Sequence, residues 1–218
     1  MVKVQVIEQV TKANDQIAAQ NQALLDTSGT LAVNLMASPG AGKTSLVMRT
    51  VELLRDRLRI GAIEGDTASQ VDADRVATTG IPVIQINTGG GCRLDANMLR
   101  PALDALPLEE LDLLLIENVG NQVCPAGLAL GQHIDVVITS VPEGDDKPYK
   151  YPNMFLVVDA VVINKIDLLP YLEFDVRALR ELVSGMNPQA RIFEVSCKSG
   201  EGLEEWADWL AGQCHRAR

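Results

Sequence analysis

The chain has 218 residues, with 19 Lys and Arg against 29 Asp and Glu, a formal charge of −10, and 47% hydrophobic but only 4% aromatic residues. That length suits one globular domain with an aliphatic core, and the acidic balance excludes a protein that clings electrostatically to nucleic acid or to anionic lipid. No apolar run approaches the roughly 20 residues of a membrane-spanning helix, the start MVKVQVIEQV lacks a signal-peptide core, and the four dispersed cysteines read as free thiols of a reducing, cytoplasmic compartment.

Residues 4–25 predict a helix, with Ile7, Val10, Ile17 and Leu24 at helical spacing and Asn14 and Asn21 breaking the same stripe. Such a face suits a helix laid across a surface or against a partner. Closed by the turn Asp26-Thr27-Ser28-Gly29, it makes residues 1–29 a short N-terminal helical appendage to a domain at 30–218. From residue 30 onward, short aliphatic runs at 31–37, 59–63, 81–86, 111–117, 134–140, 158–164 and 190–195 alternate with helical patterns. Leu46, Val47, Thr50, Val51 and Leu54 make one helix face, Leu179, Leu182 and Val183 another, and Leu203, Trp206 and Leu210 a third. The alternation predicts an α/β fold, a mostly parallel β-sheet flanked by helices on both faces, with ligands at the carboxyl ends of the strands.

The first of those ends is the most informative. The run 31–37 passes through Ser38-Pro39-Gly40-Ala41-Gly42-Lys43-Thr44-Ser45 directly into a helix. Small residues let backbone N–H groups converge on an anion at a helix N-terminus, Lys43 can reach the β- and γ-phosphates, and the Thr44 hydroxyl can face Mg²⁺. Ala37 stands where the general phosphate-loop pattern has Gly. Asp66, at the end of IGAIEGD, and Asp72 are candidates for completing the metal shell or positioning water. Glu117-Asn118-Val119-Gly120 ends LDLLLI, where such enzymes place a carboxylate near Mg²⁺ and a Gly that senses the γ-phosphate. Asn164-Lys165-Ile166-Asp167 follows the run 158–164; its Asp carboxylate can accept both guanine N1–H and N2–H, a donor pair adenine lacks. Ser196-Cys197-Lys198, after the next run, is placed to cover the base. GTP is therefore the expected nucleotide, and Lys43, Asp66, Glu117 and Gly120 the expected catalytic group.

Taken together, Ser38–Thr44, Glu64-Gly65-Asp66, Gly89-Gly90-Gly91-Cys92, Glu117–Pro125, Glu143–Pro148 and Asn164–Leu168 resemble the HypB family, GTPases that help insert nickel into nickel–iron hydrogenase, over essentially the whole chain. The resemblance implies a GTP-hydrolysing metallochaperone that dimerises according to its nucleotide, works with a HypA-type metallochaperone and serves the hydrogenase large-subunit precursor. It also implies that Cys92 and Cys124 are ligands for Ni²⁺ or Zn²⁺. From the residues alone each cysteine reads first as a small buried hydrophobe, although thiolates suit such ions and a symmetric dimer would bring four together. Where the family has Cys-His, this chain has Cys92-Arg93, and a guanidinium cannot coordinate a metal. That departure leaves room for a GTP-dependent scaffold that carries no metal. A chaperone of the urease-accessory type is disfavoured by the missing Cys-Pro-His pattern, and a small-molecule kinase by Asn164–Asp167. The two histidines, His133 and His215, read as structural or exposed, Lys147 and Lys150 as part of a solvated loop, and Cys197 and Cys214 as outside any metal site.

Overall fold

The computed structural model describes residues 12–121 and 123–216. The expected start of the first helix, with Ile7 and Val10, lies outside the described residues, as does Gln122.

Seven parallel strands form one sheet: β1 (Leu31–Ala37), β2 (Ile60–Asp66), β3 (Val83–Asn87), β4 (Leu113–Glu117), β5 (Ile134–Ser140), β6 (Ala160–Asn164) and β7 (Arg191–Glu194), in the order β3-β2-β4-β1-β5-β6-β7. β1 is central, with β4 on one side and β5 on the other, so the chain reverses its direction of winding at the end of β1, where such sheets open a crevice. Every residue of β1 is buried, the signature of a strand covered on both faces.

The helices are α1 (Lys12–Ser28), α2 (Lys43–Leu54), α3 (Val71–Ala77), α4 (Ala96–Ala105), α5 (Lys147–Lys150), α6 (Pro152–Leu156), α7 (Val176–Met186) and α8 (Leu203–Arg216). Alternate residues of β1 serve opposite faces. Leu31, Val33, Leu35 and Ala37 pack against α2 and α8, whereas Ala32 and Met36 face the layers holding α1, α4, α6 and α7. On the first face Trp206 is fully buried, stands edge-on to Phe193 at 5.4 Å, and donates its indole N–H to Thr50 Oγ1 at 2.9 Å. α8 thereby braces α2, the helix that carries the phosphate loop at its N-terminus.

α1 runs three residues beyond the predicted end. The Thr27 and Ser28 hydroxyls bond back to the Ala23 and Leu25 carbonyls and keep the turn helical, and Gly29 and Thr30 N–H then close it on Asp26 and Leu25. The two asparagines that break its apolar stripe have tertiary partners. Asn21, fully buried, donates to Ala96 O and Leu130 O, each at 2.9 Å; Asn14 donates to Ala129 O at 2.8 Å and accepts from Ala96 N at 3.0 Å. Leu25 enters the same apolar cluster as Leu94, Leu99 and Leu114.

Candidate functional site

The carboxyl ends of β1, β2 and β4 enclose a cleft of about 510 Å³ lined by the phosphate loop, by Glu64–Thr67, by Asp72 and Arg75 of α3, and by Glu117–Gly120 and Lys165. Pro39, Gly40, Gly42, Lys43, Thr44 and Ser45 all face it; Ala41 is fully buried beneath the loop. Gly42 sits at φ 101° just before α2, and a Cβ there would collide with the Asn164 carboxamide. A side chain is thus barred twice, by backbone conformation and by contact.

That contact joins the two sequence motifs. Asn164 Nδ2 donates to Ala41 O at 2.9 Å, and Asn164 Oδ1 accepts from Lys165 N at 2.7 Å and Cys197 N at 3.3 Å. Lys165, at φ 64° the one described non-glycine residue with a positive φ, returns over the phosphate loop to donate from Nζ to Gly40 O at 2.5 Å. Asp167 is half-buried, and Ser196 Oγ donates to its Oδ1 at 2.6 Å, fixing one carboxylate oxygen. Burial pushes the Cys197 thiol up to about 11, so it serves as wall rather than nucleophile; Lys198 is exposed beside it.

The phosphate end holds the charged groups. Glu117 is buried, accepts from Thr44 Oγ1 at 3.0 Å and stands 3.8 Å from Lys43 Nζ. Glu64, only 2% exposed, occupies the matching register position on β2, so two carboxyls meet side by side under the cleft floor. Burial, reinforced by the neighbouring Glu117 carboxyl, pushes Glu64 far above the usual carboxylate range; burial also raises Glu117, against the pull of Lys43. Glu64 Oε1 and Glu117 Oε2 have no hydrogen-bond partner although both are buried. Sequence reasoning named Glu64 only within the string Glu64-Gly65-Asp66 and gave it no role at the site. A lone carboxylate inside the aliphatic run of β2 was the available signal.

The expected magnesium set is only partly gathered. Thr44 and Glu117 meet, and Asp66 lines the same cleft, but its Oδ1 is engaged in its own loop, accepting from Thr67 N, Thr67 Oγ1 and Ala68 N. Burial pushes that carboxyl up, yet hydrogen bonds from Ala68, Thr67 and Ser69 together outweigh it and hold it below the ordinary range. Asp72 pairs with Arg75 at 3.2 Å on the cleft wall. Arg75 was not singled out in the sequence either, being one of several arginines on polar helix faces.

Outside the cleft, Cys92 is exposed and Cys124 half-buried, and the Cys92 thiol beside it pushes the Cys124 thiol up. Among the described residues, no three His, Cys, Asp or Glu side chains gather into a group able to hold a metal ion, so one chain offers the thiol pair and no third donor. Arg93 donates from Nη1 to Cys124 O at 2.7 Å and ties the two cysteine loops together. His133 is structural: its Nδ1 accepts from Ala32 N and its Nε2 meets Asp26 Oδ1, both at 2.9 Å. His215 bonds to Ala211 O within α8. Lys147 is held by Glu143 at 3.4 Å and over the Tyr151 ring, while Lys150 pairs with Asp146 at the surface. Cys214 is buried, which pushes its thiol up to about 11.

The family model described as CobW/HypB/UreG, nucleotide-binding domain matches residues 31–194. A protein from Azotobacter vinelandii named hydrogenase maturation factor HypB is 50% identical over 200 residues, 92% of this chain and 66% of that protein, so the chain spans about two thirds of that relative's length. Two solved structures are similar. HypB from Archaeoglobus fulgidus superposes with a TM-score of 0.87 at 43% identity, over 93% of this chain and 99% of that one. HypB from Helicobacter pylori in complex with nickel gives 0.89 at 38% identity, over 94% and 96% of the two chains. Among the described residues, no helix is long and apolar enough to cross a membrane.

Proposed function

This chain belongs to the CobW/HypB/UreG family, and from that premise we propose that it hydrolyses GTP and carries nickel toward a nickel–iron hydrogenase, its nucleotide state governing dimerisation and metal transfer. The observation that carries the nucleotide half is the Asn164–Ala41 hydrogen bond, which locks the base-reading tetrapeptide onto the phosphate loop. Base and triphosphate are then measured by one rigid unit, with Asp167 taking guanine N1–H and N2–H while the N–H groups of residues 40–45 and Lys43 take the phosphates.

Hydrolysis needs little covalent work from the protein; it needs the γ-phosphate held in line and its charge neutralised. Lys43 and the loop N–H groups supply charge, Gly120 lies against the loop, and the acidic residues Asp66, Asp72 and Glu117 border the place where a water would attack. The Thr44 hydroxyl and the orphaned Glu117 and Glu64 oxygens suit Mg²⁺, held directly or through water with Asp66 closing the set. Mg²⁺, when bound, neutralises phosphate charge.

For the transferred metal, Cys92 and Cys124 offer two thiolates per chain. A GTP-dependent homodimer would supply four, a donor set suited to Ni²⁺ or Zn²⁺. The HypA-type metallochaperone and the hydrogenase large-subunit precursor are the partners of this reading, and the cytoplasm its compartment. Equilibrium binding of Ni²⁺ and Zn²⁺ to the reduced protein tests it, with GDP and with a non-hydrolysable GTP analogue, beside phosphate release from GTP and from ATP. Metal binding that needs both cysteines and shifts with nucleotide, together with GTP-selective turnover, supports the proposal. GTP-selective turnover with no cysteine-dependent metal binding would leave a GTP-dependent scaffold, a reading favoured by the Arg93–Cys124 hydrogen bond.

A further inference from the structure

Resting on that reading, a chain of buried amides connects the γ-phosphate end of the cleft to the Cys92 loop. Asn118 follows Glu117 and is 2% exposed. Its Oδ1 accepts two N–H groups at once, Val119 N at 2.9 Å and Leu94 N at 3.0 Å. Its Nδ2 donates to Asn34 Oδ1 at 3.1 Å, and Asn34 Nδ2 in turn donates to Asp135 Oδ1 at 2.8 Å. With Asn34 in the middle of the central strand, the Asn118 carboxamide has a fixed base and one free variable, the sharing of its oxygen between Val119 and Leu94.

Both sharers matter. Val119 precedes Gly120, which is pressed against the phosphate loop: a Cβ on Gly120 would stand 3.3 Å from Pro39 and 3.4 Å from Lys43 Nζ. Leu94 lies two residues after Cys92, and its fully buried side chain rests on the backbone of Gly65, where an added Cβ would come within 2.8 Å of it. Leu94 thus touches both acidic strand ends, Glu64-Gly65-Asp66 through its side chain and Glu117-Asn118 through its N–H. Rotation of the Asn118–Val119 peptide, as the loop shifts to bring the Gly120 N–H to a γ-phosphate, withdraws Val119 N from the shared oxygen. The oxygen is then free to close on Leu94 N.

We propose that Asn118 is a positioning residue that transmits occupancy of the γ-phosphate position to the Cys92 loop through the Leu94 N–H. This route is separate from the direct continuity of chain between Gly120 and Cys124, and it gives each cysteine loop its own link to the nucleotide.

The test uses the exposed Cys92 thiol as reporter, so it does not depend on metal. The rate of Cys92 alkylation by iodoacetamide is read at that residue by peptide mass spectrometry, with Mg²⁺ and either GDP or a non-hydrolysable GTP analogue. In the wild type the two rates should differ at least threefold. Asn118→Leu, similar in volume but unable to accept a hydrogen bond, should bring the two rates within 1.5-fold, while Asn118→Asp, whose buried carboxyl when protonated keeps both the acceptor oxygen and a donor toward Asn34, should restore the difference. A wild type without the difference, or an Asn118→Leu protein that keeps it, overturns the proposal. If Asn118→Leu does not fold, amide hydrogen exchange at Leu94 in the wild type decides: a change in protection between the two nucleotide states is expected, and equal protection overturns it. Failure of the cysteines to bind metal would sink the metallochaperone reading while leaving these rates to judge Asn118 alone.

Discussion

Glu64 and Glu117 face each other across neighbouring parallel strands, two carboxyls in one buried register position beneath the phosphate loop. Burial, reinforced by the Glu117 carboxyl beside it, makes Glu64 keep a proton that an ordinary glutamate would lose. Arrival of Mg²⁺ with a nucleotide supplies the missing positive charge and should expel that proton. Calorimetry of Mg²⁺–GTP binding in two buffers of different ionisation enthalpy should therefore show close to one proton released per site near pH 7. Glu64→Gln should release markedly less.

Without ligand the same pair sets a pH dependence of stability. An unfolded glutamate ionises near its ordinary value of 4.5, while folded Glu64 holds its proton well above that. The native state then binds more protons than the unfolded state, so stability falls as pH rises through this window. One such proton is worth up to about 1.4 kcal/mol per pH unit. Chemical denaturation between about pH 5.5 and 8 should show the wild type losing stability and Glu64→Gln losing it less steeply, by roughly one proton's slope.

At the base end, Asp167→Asn replaces an acceptor with a donor facing guanine N1–H and N2–H. GTP affinity should fall by roughly 10- to 1000-fold, since one buried polar match is lost and another becomes repulsive. Xanthosine triphosphate, whose ring carries a carbonyl where guanine has the amino group, should gain on GTP in the same variant. Competition against a fluorescent nucleotide measures both.

Arg93→His offers the cysteine pair a third donor and removes a fixed positive charge from beside it. Ni²⁺ affinity should rise at least about tenfold, and the gain should disappear below about pH 6, where imidazole is protonated. Equal affinity in both proteins across that range would place the bound ion away from the Cys92–Cys124 loops.

Thr50→Val keeps the shape of the α2–α8 contact but strands the Trp206 indole N–H in the core. It should lower stability by about 1–3 kcal/mol, and Thr50→Ser, which keeps the hydroxyl, should cost less. Thermal unfolding of the two variants separates the hydrogen bond from the methyl packing.

Much of this architecture was legible in the sequence. β1 and β5 lie at the predicted residues, since a strand buried on both faces writes itself as an uninterrupted aliphatic run. The phosphate loop and Asn164–Asp167 were readable because their residues must be local to do their work. What stayed hidden depends on residues distant in sequence. Asn14 and Asn21 read as breaks in a helix stripe, yet they reach Ala129 and Leu130, 115 and 109 residues away. Glu64 gained its partner only when β2 and β4 were laid in register, and periodicity within one segment carries no register between two. Asp66 was read as a strand-end candidate for the metal shell or for positioning water; it lines the cleft, and the turn it forms with Thr67 and Ala68 competes locally for one of its carboxylate oxygens.

The bond between Trp206 and Thr50 also has a meaning in time. The helix behind the phosphate loop is synthesised before α8, and the residue that braces it lies 156 positions downstream. A nascent chain whose phosphate loop has already left the ribosome still lacks the wall against which α2 rests. Firm nucleotide capture should then wait for the remaining strands and for α8 to emerge, and a product truncated before α8 should bind nucleotide poorly.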